Sequence, residues 1–235
     1  MATGDEFLTA MGIEVWKLRD RQGEIDLEQA EPIKPSQAEA APVKIQVPDI
    51  EDMDAQALQA AVAACQKCQL SKTRTNTVFG AGSLEADVLF IGEGPGREED
   101  LQGLPFVGRA GKLLTAMIAA LGFDRNQVYI ANVVKCRPPN NRDPLTDEAS
   151  ACSRYLRRQI EIIKPKVIVA LGRVSAQLLL DTEVSLGGLR GRPQKYRDTD
   201  IVVVVTYHPA YLLRKPTEKR KSWDDLWKVR LMLSQ

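Results

Sequence analysis

Four short and almost uniformly apolar runs mark the chain between residues 88 and 207. They are V-L-F-I at 88–91, V-Y-I-A-N-V-V at 128–134, V-I-V-A-L at 167–171 and I-V-V-V-V at 201–205. Each run is too short for a helix and too apolar for a strand with one face in water, so each predicts a buried strand of a parallel sheet. Helical stretches such as K-L-L-T-A-M-I-A-A-L and R-V-S-A-Q-L-L-L separate the runs. This alternation predicts an α/β fold.

The turn after the first run is rich in glycine and acidic residues, G-E-G-P-G-R-E-E-D at 92–100. Its glycines permit backbone conformations that other residues avoid, and its acids suit the positive end of a following helix. Three acids would repel a pyrophosphate, so a nucleotide-binding loop is the least favoured interpretation. A plain strand-to-helix turn and an active-site loop both remain open.

Polar residues follow the ends of several predicted strands. Asn132 lies inside the second run, where a buried amide needs partners for its donor and its acceptor, a pair of groups that suits the edge of a nucleobase. His208, the single histidine, follows the fourth run. A lone histidine is more often an ordinary polar residue than a catalyst. Because ligands gather at the carboxyl ends of parallel strands, its convergence with Asn132 and the glycine turn favours a site there.

Phe106 lies in the loop L-P-F-V-G-R-A-G, between proline and glycine. An aromatic ring held in this way either covers the core or provides a stacking surface for a planar ligand, and the residues alone favour the cover.

Four cysteines are present: Cys65, Cys68, Cys136 and Cys152. One close C-x-x-C pair and two distant members favour a four-thiolate metal site over disulfides or four free thiols. Thiolates suit either zinc or an iron-sulfur cluster, and the spacing does not choose between them.

Charge divides the chain into an acidic leader and a basic body. Residues 1–64 carry five Lys or Arg against thirteen Asp or Glu, and the remaining residues carry a net charge of +9. A basic body suits a polyanion such as DNA, although an ordinary solvated surface is the alternative. The N-terminus lacks the features of a signal peptide and no apolar run is long enough to cross a membrane, so we expect a cytoplasmic protein with no membrane partner.

The leader, residues 1–50, contains an apolar segment at about 7–19 and then a Pro-rich polar stretch that predicts a flexible linker. Such a segment either docks on a partner protein or folds back on its own domain. The candidate docking residues are Phe7, Met11, Val15, Trp16 and Leu18. Residues 51–235 are then the folded domain.

From about residue 55 to residue 233 the chain resembles the family 4 uracil-DNA glycosylases, the iron-sulfur type. The resemblance is carried by the four cysteines and by G-E-G-P-G-R-E-E-D, P-F-V-G-R-A-G, N-V-V-K-C-R-P-P-N-N-R and H-P-A-Y-L-L-R, in that order. It implies a three-layer α/β/α sandwich on a four-stranded parallel sheet. It also implies a 4Fe-4S cluster bound by Cys65, Cys68, Cys136 and Cys152.

The same resemblance implies roles in removing uracil from DNA to leave an abasic site. Phe106 would stack on the flipped uracil, Asn132 would bond its edge, and His208 would stabilise charge on its O2 atom. Gly92, Gly94 and Glu93 would line the pocket. Residues 210–214 would form a loop pressed into the duplex, so that Tyr211, Leu212, Leu213 and Arg214 contact DNA, with Arg142 of the basic loop as a further contact.

Related glycosylase families place an Asp or Asn that positions water where this chain has Gly94. The sequence therefore leaves two mechanisms open: Glu93 acts on the water, or the site relies on electrostatic stabilisation.

A second, shorter resemblance concerns M-G-I-E-V-W-K-L-R in the leader, which is similar to the N-terminal peptide of the psi subunit of the DNA polymerase III clamp loader. It implies a clamp-loader contact through residues 1–30, with Trp16 as the anchor. The alternative function is then a non-catalytic clamp-loader subunit that uses the glycosylase fold as a scaffold.

Overall fold

The computed structural model describes residues 49–234. This part of the chain folds around one sheet whose strands are β1 (Ala81–Gly82), β2 (Val88–Gly92), β3 (Tyr129–Asn132), β4 (Val167–Leu171), β5 (Gln194–Lys195) and β6 (Val202–Thr206). The strand order is β1-β3-β2-β4-β6-β5. The central four strands are parallel, as predicted, and the two edge strands pair antiparallel. The edge strands were not predicted, because two residues carry no periodicity.

Eight α-helices surround the sheet in the described residues: α1 (Ala55–Ala63), α2 (Arg97–Gln102), α3 (Arg109–Ala120), α4 (Thr146–Ile163), α5 (Arg173–Leu180), α6 (Leu186–Leu189), α7 (Pro209–Arg214) and α8 (Lys219–Leu233). Short 3-10 turns occur at Ile50–Asp52, Gln69–Lys72, Pro139–Asn141 and Pro216–Glu218.

Successive residues of the central strands point into two different cores. In β2, Leu89 and Ile91 pack in the core that contains residues of α1, α4 and α5. Val88 and Phe90 pack in the opposite core, with residues of α3, α7 and α8. Both faces of the sheet are therefore covered, which confirms the three-layer α/β/α arrangement and explains why these strands are apolar at every position.

The register brings the ends of the strands together. Gly92, at the end of β2, pairs with Asn132, at the end of β3, and Thr206 ends β6 two residues before His208. The chain places β3 on one side of β2 and β4 on the other, so the direction of the strand order changes at β2. A crevice forms outside the carboxyl ends of the strands at such a point. The crevice is where a ligand is expected.

The predicted docking segment and linker lie outside the described residues, so the leader and the domain boundary near residue 50 stay predictions. Within residues 49–234, no helix combines the length and the apolar character needed to span a membrane.

Candidate active site

A cleft of about 480 Å³ opens at the carboxyl edge of the parallel strands. Among the residues predicted from the sequence, its lining includes Glu93, Gly94, Phe106, Asn132, Arg142, His208, Tyr211 and Arg214. These residues come from the turn after β2, the loop before α3, the end of β3, the loop before α4, and the start and body of α7. The structure therefore brings the separate sequence motifs together in one cleft.

Asn132 presents an unpaired acceptor to this cleft. The residue is 1% exposed, and its Oδ1 atom is the one buried side-chain N or O atom of residues 49–234 that has no hydrogen-bond partner. Its backbone carbonyl accepts a bond of 2.8 Å from Lys135 Nζ, which fixes the end of β3. A buried acceptor without a donor costs about 1 to 3 kcal/mol, so this oxygen is suited to a ligand that brings a donor.

Phe106 holds its ring in the cleft with a strained backbone. Its φ is +52°, a conformation that costs a residue other than glycine of order 1 kcal/mol. Two contacts hold the loop in place: Arg125 Nη2 donates to the Phe106 carbonyl at 3.1 Å, and Glu99 Oε1 accepts from Val107 N at 3.0 Å. The ring lies 5.6 Å from the His208 ring, centroid to centroid. Phe106 is thus a wall of the cleft and part of the buried core at once.

His208 is the N-cap of α7, and its Nδ1 atom accepts a bond of 3.1 Å from Ala210 N. Burial first, and then the nearby Arg214 guanidinium, lower the pKa of His208 to about 4, although Glu99 opposes the shift. The imidazole is therefore neutral at pH 7. Because Nδ1 is the acceptor, the hydrogen lies on Nε2, which is free to donate into the cleft.

The Glu93 carboxyl, on the wall of the cleft, has a pKa near neutral pH. Burial, and then the neighbouring Asp143 carboxylate, raise the pKa of Glu93 to about 7, while Arg173 acts in the opposite direction. Near neutral pH, the protonated and the ionised forms of the Glu93 carboxyl are both populated. A pKa close to the working pH is what a general base needs.

Two glycines let neighbouring segments approach the cleft closely. A Cβ on Gly92 would collide with Asn132 Oδ1 and would lie 2.7 Å from the Phe106 ring. A Cβ on Gly94 would lie 2.8 Å from Val134 Cγ2. Gly94 is therefore explained by packing: the chain after β3 occupies the space that a side chain at this position would need.

The segment predicted to press into DNA is a helix, α7, rather than a loop. Proline at its first position and the His208 cap favour helix formation there. Tyr211 and Arg214 line the cleft and Leu213 is exposed, but Leu212 is 1% exposed within the core. The predicted DNA contact of Leu212 is therefore wrong for this conformation, because a helix turns one residue in three or four inward.

Arg142 lines the cleft, but its guanidinium is already paired. It donates to both carboxylate oxygens of Glu148 at 2.7 and 2.8 Å. Glu148 also accepts from Leu145 N at the start of α4. The first role of Arg142 is therefore to hold the basic loop against α4.

Two acidic residues of the cleft, Glu99 and Asp143, are not among the site residues that the sequence predicts. The sequence pattern presents Glu99 only as one of three acids at the start of a helix, whereas in the structure its Oε1 atom also accepts from Gly108 N at 3.2 Å. Asp143 forms a 2.7 Å ion pair with Arg173 of α5. Nothing local distinguishes either residue from its acidic neighbours, because the contacts that define their roles come from distant parts of the chain.

The four cysteines form a second site. Cys65 and Cys68 follow α1, Cys136 follows β3 and Cys152 lies in α4, and all four are free thiols that line one small cavity. Within residues 49–234, no group of three or more His, Cys, Asp or Glu side chains is arranged to hold a single metal ion.

Donors and cations face these sulfurs. Arg74 Nη1 lies 3.0 Å from Cys136 Sγ, and Lys135 N donates to Cys152 Sγ at 3.3 Å. The Lys135 side chain is 1% exposed and lines the same cavity. One buried and one partly buried cation beside four cysteines fit a cofactor that carries negative charge together with its thiolate ligands.

The comparisons with known proteins agree with this geometry. Residues 79–228 match the family model of the uracil DNA glycosylase superfamily. A type-4 uracil-DNA glycosylase of Sulfurisphaera tokodaii is 50% identical over 176 residues, which cover 72% of this chain and 80% of that protein. One from Thermotoga maritima is 51% identical over 154 residues, covering 65% and 80%. One from Archaeoglobus fulgidus is 47% identical over 174 residues, covering 72% and 87%. The chain therefore belongs to the uracil DNA glycosylase superfamily and, within it, to the type-4 proteins.

Proposed function

We propose that this protein is a monofunctional uracil-DNA glycosylase, which hydrolyses the N-glycosidic bond of deoxyuridine in DNA and leaves an abasic site. The observation that carries the proposal is the unpaired Oδ1 atom of Asn132 at the base of the cleft. Uracil has an N3–H donor that would satisfy this oxygen. The corresponding nitrogen of cytosine is an acceptor, so that edge would leave the oxygen unpaired.

Phe106 and His208 supply the two other interactions that the reaction needs. A flipped base must be held after it leaves the stack, and the Phe106 ring provides an aromatic surface inside the cleft. As the glycosidic bond breaks, negative charge develops on the uracil. The Nε2–H of a neutral His208 would donate to that charge, an effect of order 3 to 4 kcal/mol for a well-placed donor.

We assign to Glu93 the role of general base, which activates the water that attacks the sugar. Gly94 carries no side chain and has no room for one beside Val134, whereas Glu93 lies on the cleft wall with a pKa near 7. In its ionised form, Glu93 would accept the proton of the attacking water, and uracil would leave as an anion held by His208.

DNA contacts are assigned to the exposed rim of the cleft. Tyr211, Leu213 and Arg214 project from α7 and its end, where Arg214 would neutralise a phosphate. Leu212 is excluded from this role by its burial.

The four cysteines are assigned to a 4Fe-4S cluster. In such a cluster each thiolate binds a different iron, which needs a wider set of sulfurs than the single ion of a zinc site. When bound, the group would cross-link the end of α1, the chain after β3 and α4, so its role is structural. Four cysteines that bind a cluster rather than form disulfides would suit a reducing, cytoplasmic location.

The cluster has its own test, separate from activity. Protein purified without oxygen should be brown and should contain ~four irons and ~four sulfides per chain. Cys136→Ala should lose the colour and melt at a lower temperature. A colourless preparation that contains zinc would overturn the assignment.

A clamp-loader contact through residues 1–30 remains a prediction, because those residues lie outside the described part of the chain. Retention of clamp-loader subunits by the isolated leader tests it. The non-catalytic alternative draws no support from residues 49–234, since a scaffold has no need for an unpaired amide in a cleft.

The activity itself is tested with an oligonucleotide that contains one uracil. Wild-type protein should produce an alkali-labile site at the uracil and none in a matched strand with thymine. Intact DNA after incubation with protein that carries its cluster would refute the proposal.

A further inference from the structure

Two tryptophans lie exposed on the outer face of α8, one helical turn apart. Trp223 is 38% exposed and Trp227 is 45% exposed. Their ring centroids are 5.9 Å apart and their planes are inclined by 48°, so the rings do not stack on each other. Each indole therefore keeps part of its ring surface open to solvent, where a planar ligand has access to it.

The opposite face of α8 is fixed to the body of the domain. Leu226 and Val229 are fully buried in the core beneath it. Ser222 lies 3.0 Å from Thr206, the last residue of β6, so the start of α8 is held at the carboxyl edge of the sheet. The tryptophans are thus not needed to cover the core, and Trp223 directly follows Ser222, the residue that contacts the end of β6.

A basic stretch at 214–221 connects the cleft to these tryptophans. It contains five Lys or Arg and one acid, Glu218, which is already paired with Lys221 at 2.8 Å. Its first member, Arg214, lines the cleft. Positive charge is therefore present both at the cleft rim, at Arg214 and Lys215, and at the start of α8, at Lys219 and Arg220.

Charge around the tryptophans themselves is mixed but mainly basic. The Arg230 guanidinium lies 5.8 Å from the Trp227 ring centroid. Asp225 is buried and paired with Arg190 at 2.8 Å, so it adds little outward charge. Asp224 is the exposed acid of this surface and would oppose an anionic ligand.

We propose that this surface of α8 binds unpaired nucleotides of the DNA strand that leaves the cleft. Bases would stack on Trp223 and Trp227, and phosphates would follow the basic stretch at 214–221. Exposed aromatic rings along a basic path are the combination that proteins use for single-stranded nucleic acid, because every base has a face to stack. The inference rests on the proposed function in taking the strand at the cleft to be DNA.

Tryptophan fluorescence tests the proposal directly. The chain has three tryptophans, so Trp16→Phe leaves the α8 pair as the only source of the signal. Single-stranded oligothymidine without uracil should quench this fluorescence, and added salt should reverse the effect. A blunt duplex of the same length should not quench, since its bases are not free to stack. Equal quenching by the duplex, or no quenching by a strand that anisotropy shows to be bound, would overturn the proposal.

Binding measurements on variants of the two tryptophans provide a second test. Replacing both Trp223 and Trp227 with alanine should weaken binding of the single strand at least about fivefold, whereas Phe at both positions should retain most of the affinity. Leu231→Ala is the matched control, because Leu231 is 51% exposed on the same helix but has no ring. Unchanged affinity in the alanine double variant would refute nucleic-acid binding here and would leave a protein partner to explain the exposed rings.

The two proposals can fail independently. If the protein excises uracil but its fluorescence is not quenched, only the proposal for the α8 surface is refuted. If the fluorescence is quenched but uracil is not excised, the proposed glycosylase function is refuted and the proposal for DNA binding at α8 stands.

Discussion

Replacing Asn132 with alanine should separate folding from function. In the free protein the Oδ1 atom of Asn132 is buried without a partner, so it costs the folded state about 1 to 3 kcal/mol. Removing it relieves that cost. The loss of a few packing atoms acts in the opposite direction, but the space that remains adjoins the cleft rather than a sealed cavity.

The two effects on stability should nearly cancel. We expect the free energy of unfolding of Asn132→Ala to stay within about 1 kcal/mol of wild type, a change in Tm of no more than ~4 °C for a domain of this size. Activity should respond differently, because the uracil edge loses its bonds. That loss is worth about 1 to 3 kcal/mol, or a fall of about five- to 150-fold in kcat/KM.

Thermal unfolding and single-uracil kinetics measure the two quantities on one preparation. Asn76→Ala is the matched control, because its Nδ2 atom donates to the carbonyls of Asp100 at 2.9 Å and Leu101 at 3.1 Å. This control should lower Tm and leave kcat/KM unchanged. If Asn132→Ala instead unfolds several degrees earlier while it keeps full activity, Asn132 is a structural residue and its role in base recognition is refuted.

Three further outcomes are expected. His208→Ala should lower kcat about 10²- to 10³-fold with little change in KM, because the donor acts on charge that develops in the transition state. A rise in KM with kcat unchanged would contradict this role. The activity of wild type should fall as the pH drops through about 7, because Glu93 is protonated below its raised pKa, and Glu93→Gln should lose that limb of the pH profile. His208 should not contribute to the change in activity near pH 7, because its pKa is lowered to about 4. Gly94→Ala should destabilise the fold by about 1 to 3 kcal/mol through its clash with Val134, and Val134→Ala in the same chain should restore part of the loss; no restoration would show that the clash is not the cause.

The central sheet could be predicted from the sequence because burial on both faces leaves a strong local signal. Phe90 and Ile91 enter opposite cores, so no polar residue interrupts the run. Asn132 stands out for the same reason: a polar residue inside such a run needs an explanation, and the cleft provides it.

The roles of neighbouring acids could not be predicted, because they depend on contacts between distant residues. Glu98, Glu99 and Asp100 are equivalent by sequence pattern. In the structure, Asp100 accepts from Thr75 N at 2.9 Å, whereas Glu99 turns toward the loop that carries Phe106. The phase of α2 decides between these two environments, and the partners lie on segments that the local sequence does not reveal.

Gly94 and α7 are two places where the structure adds to what the family resemblance implies. At Gly94 the absent side chain suggested a gap in the catalytic set, but the structure places Val134 in that space. For α7, the family resemblance implies a loop, whereas the proline at the first helical position favours the short helix that the structure has. The local residues were the better guide there.

Mass analysis of the products formed from a single-uracil strand tests the central claim most directly. The protein with its cluster should release free uracil and an abasic strand in equal amounts, with no cleavage of the backbone before alkali is added. His208→Ala should yield both products far more slowly. An unchanged strand, or a cleaved strand without free uracil, would contradict the assignment of this cleft to uracil excision.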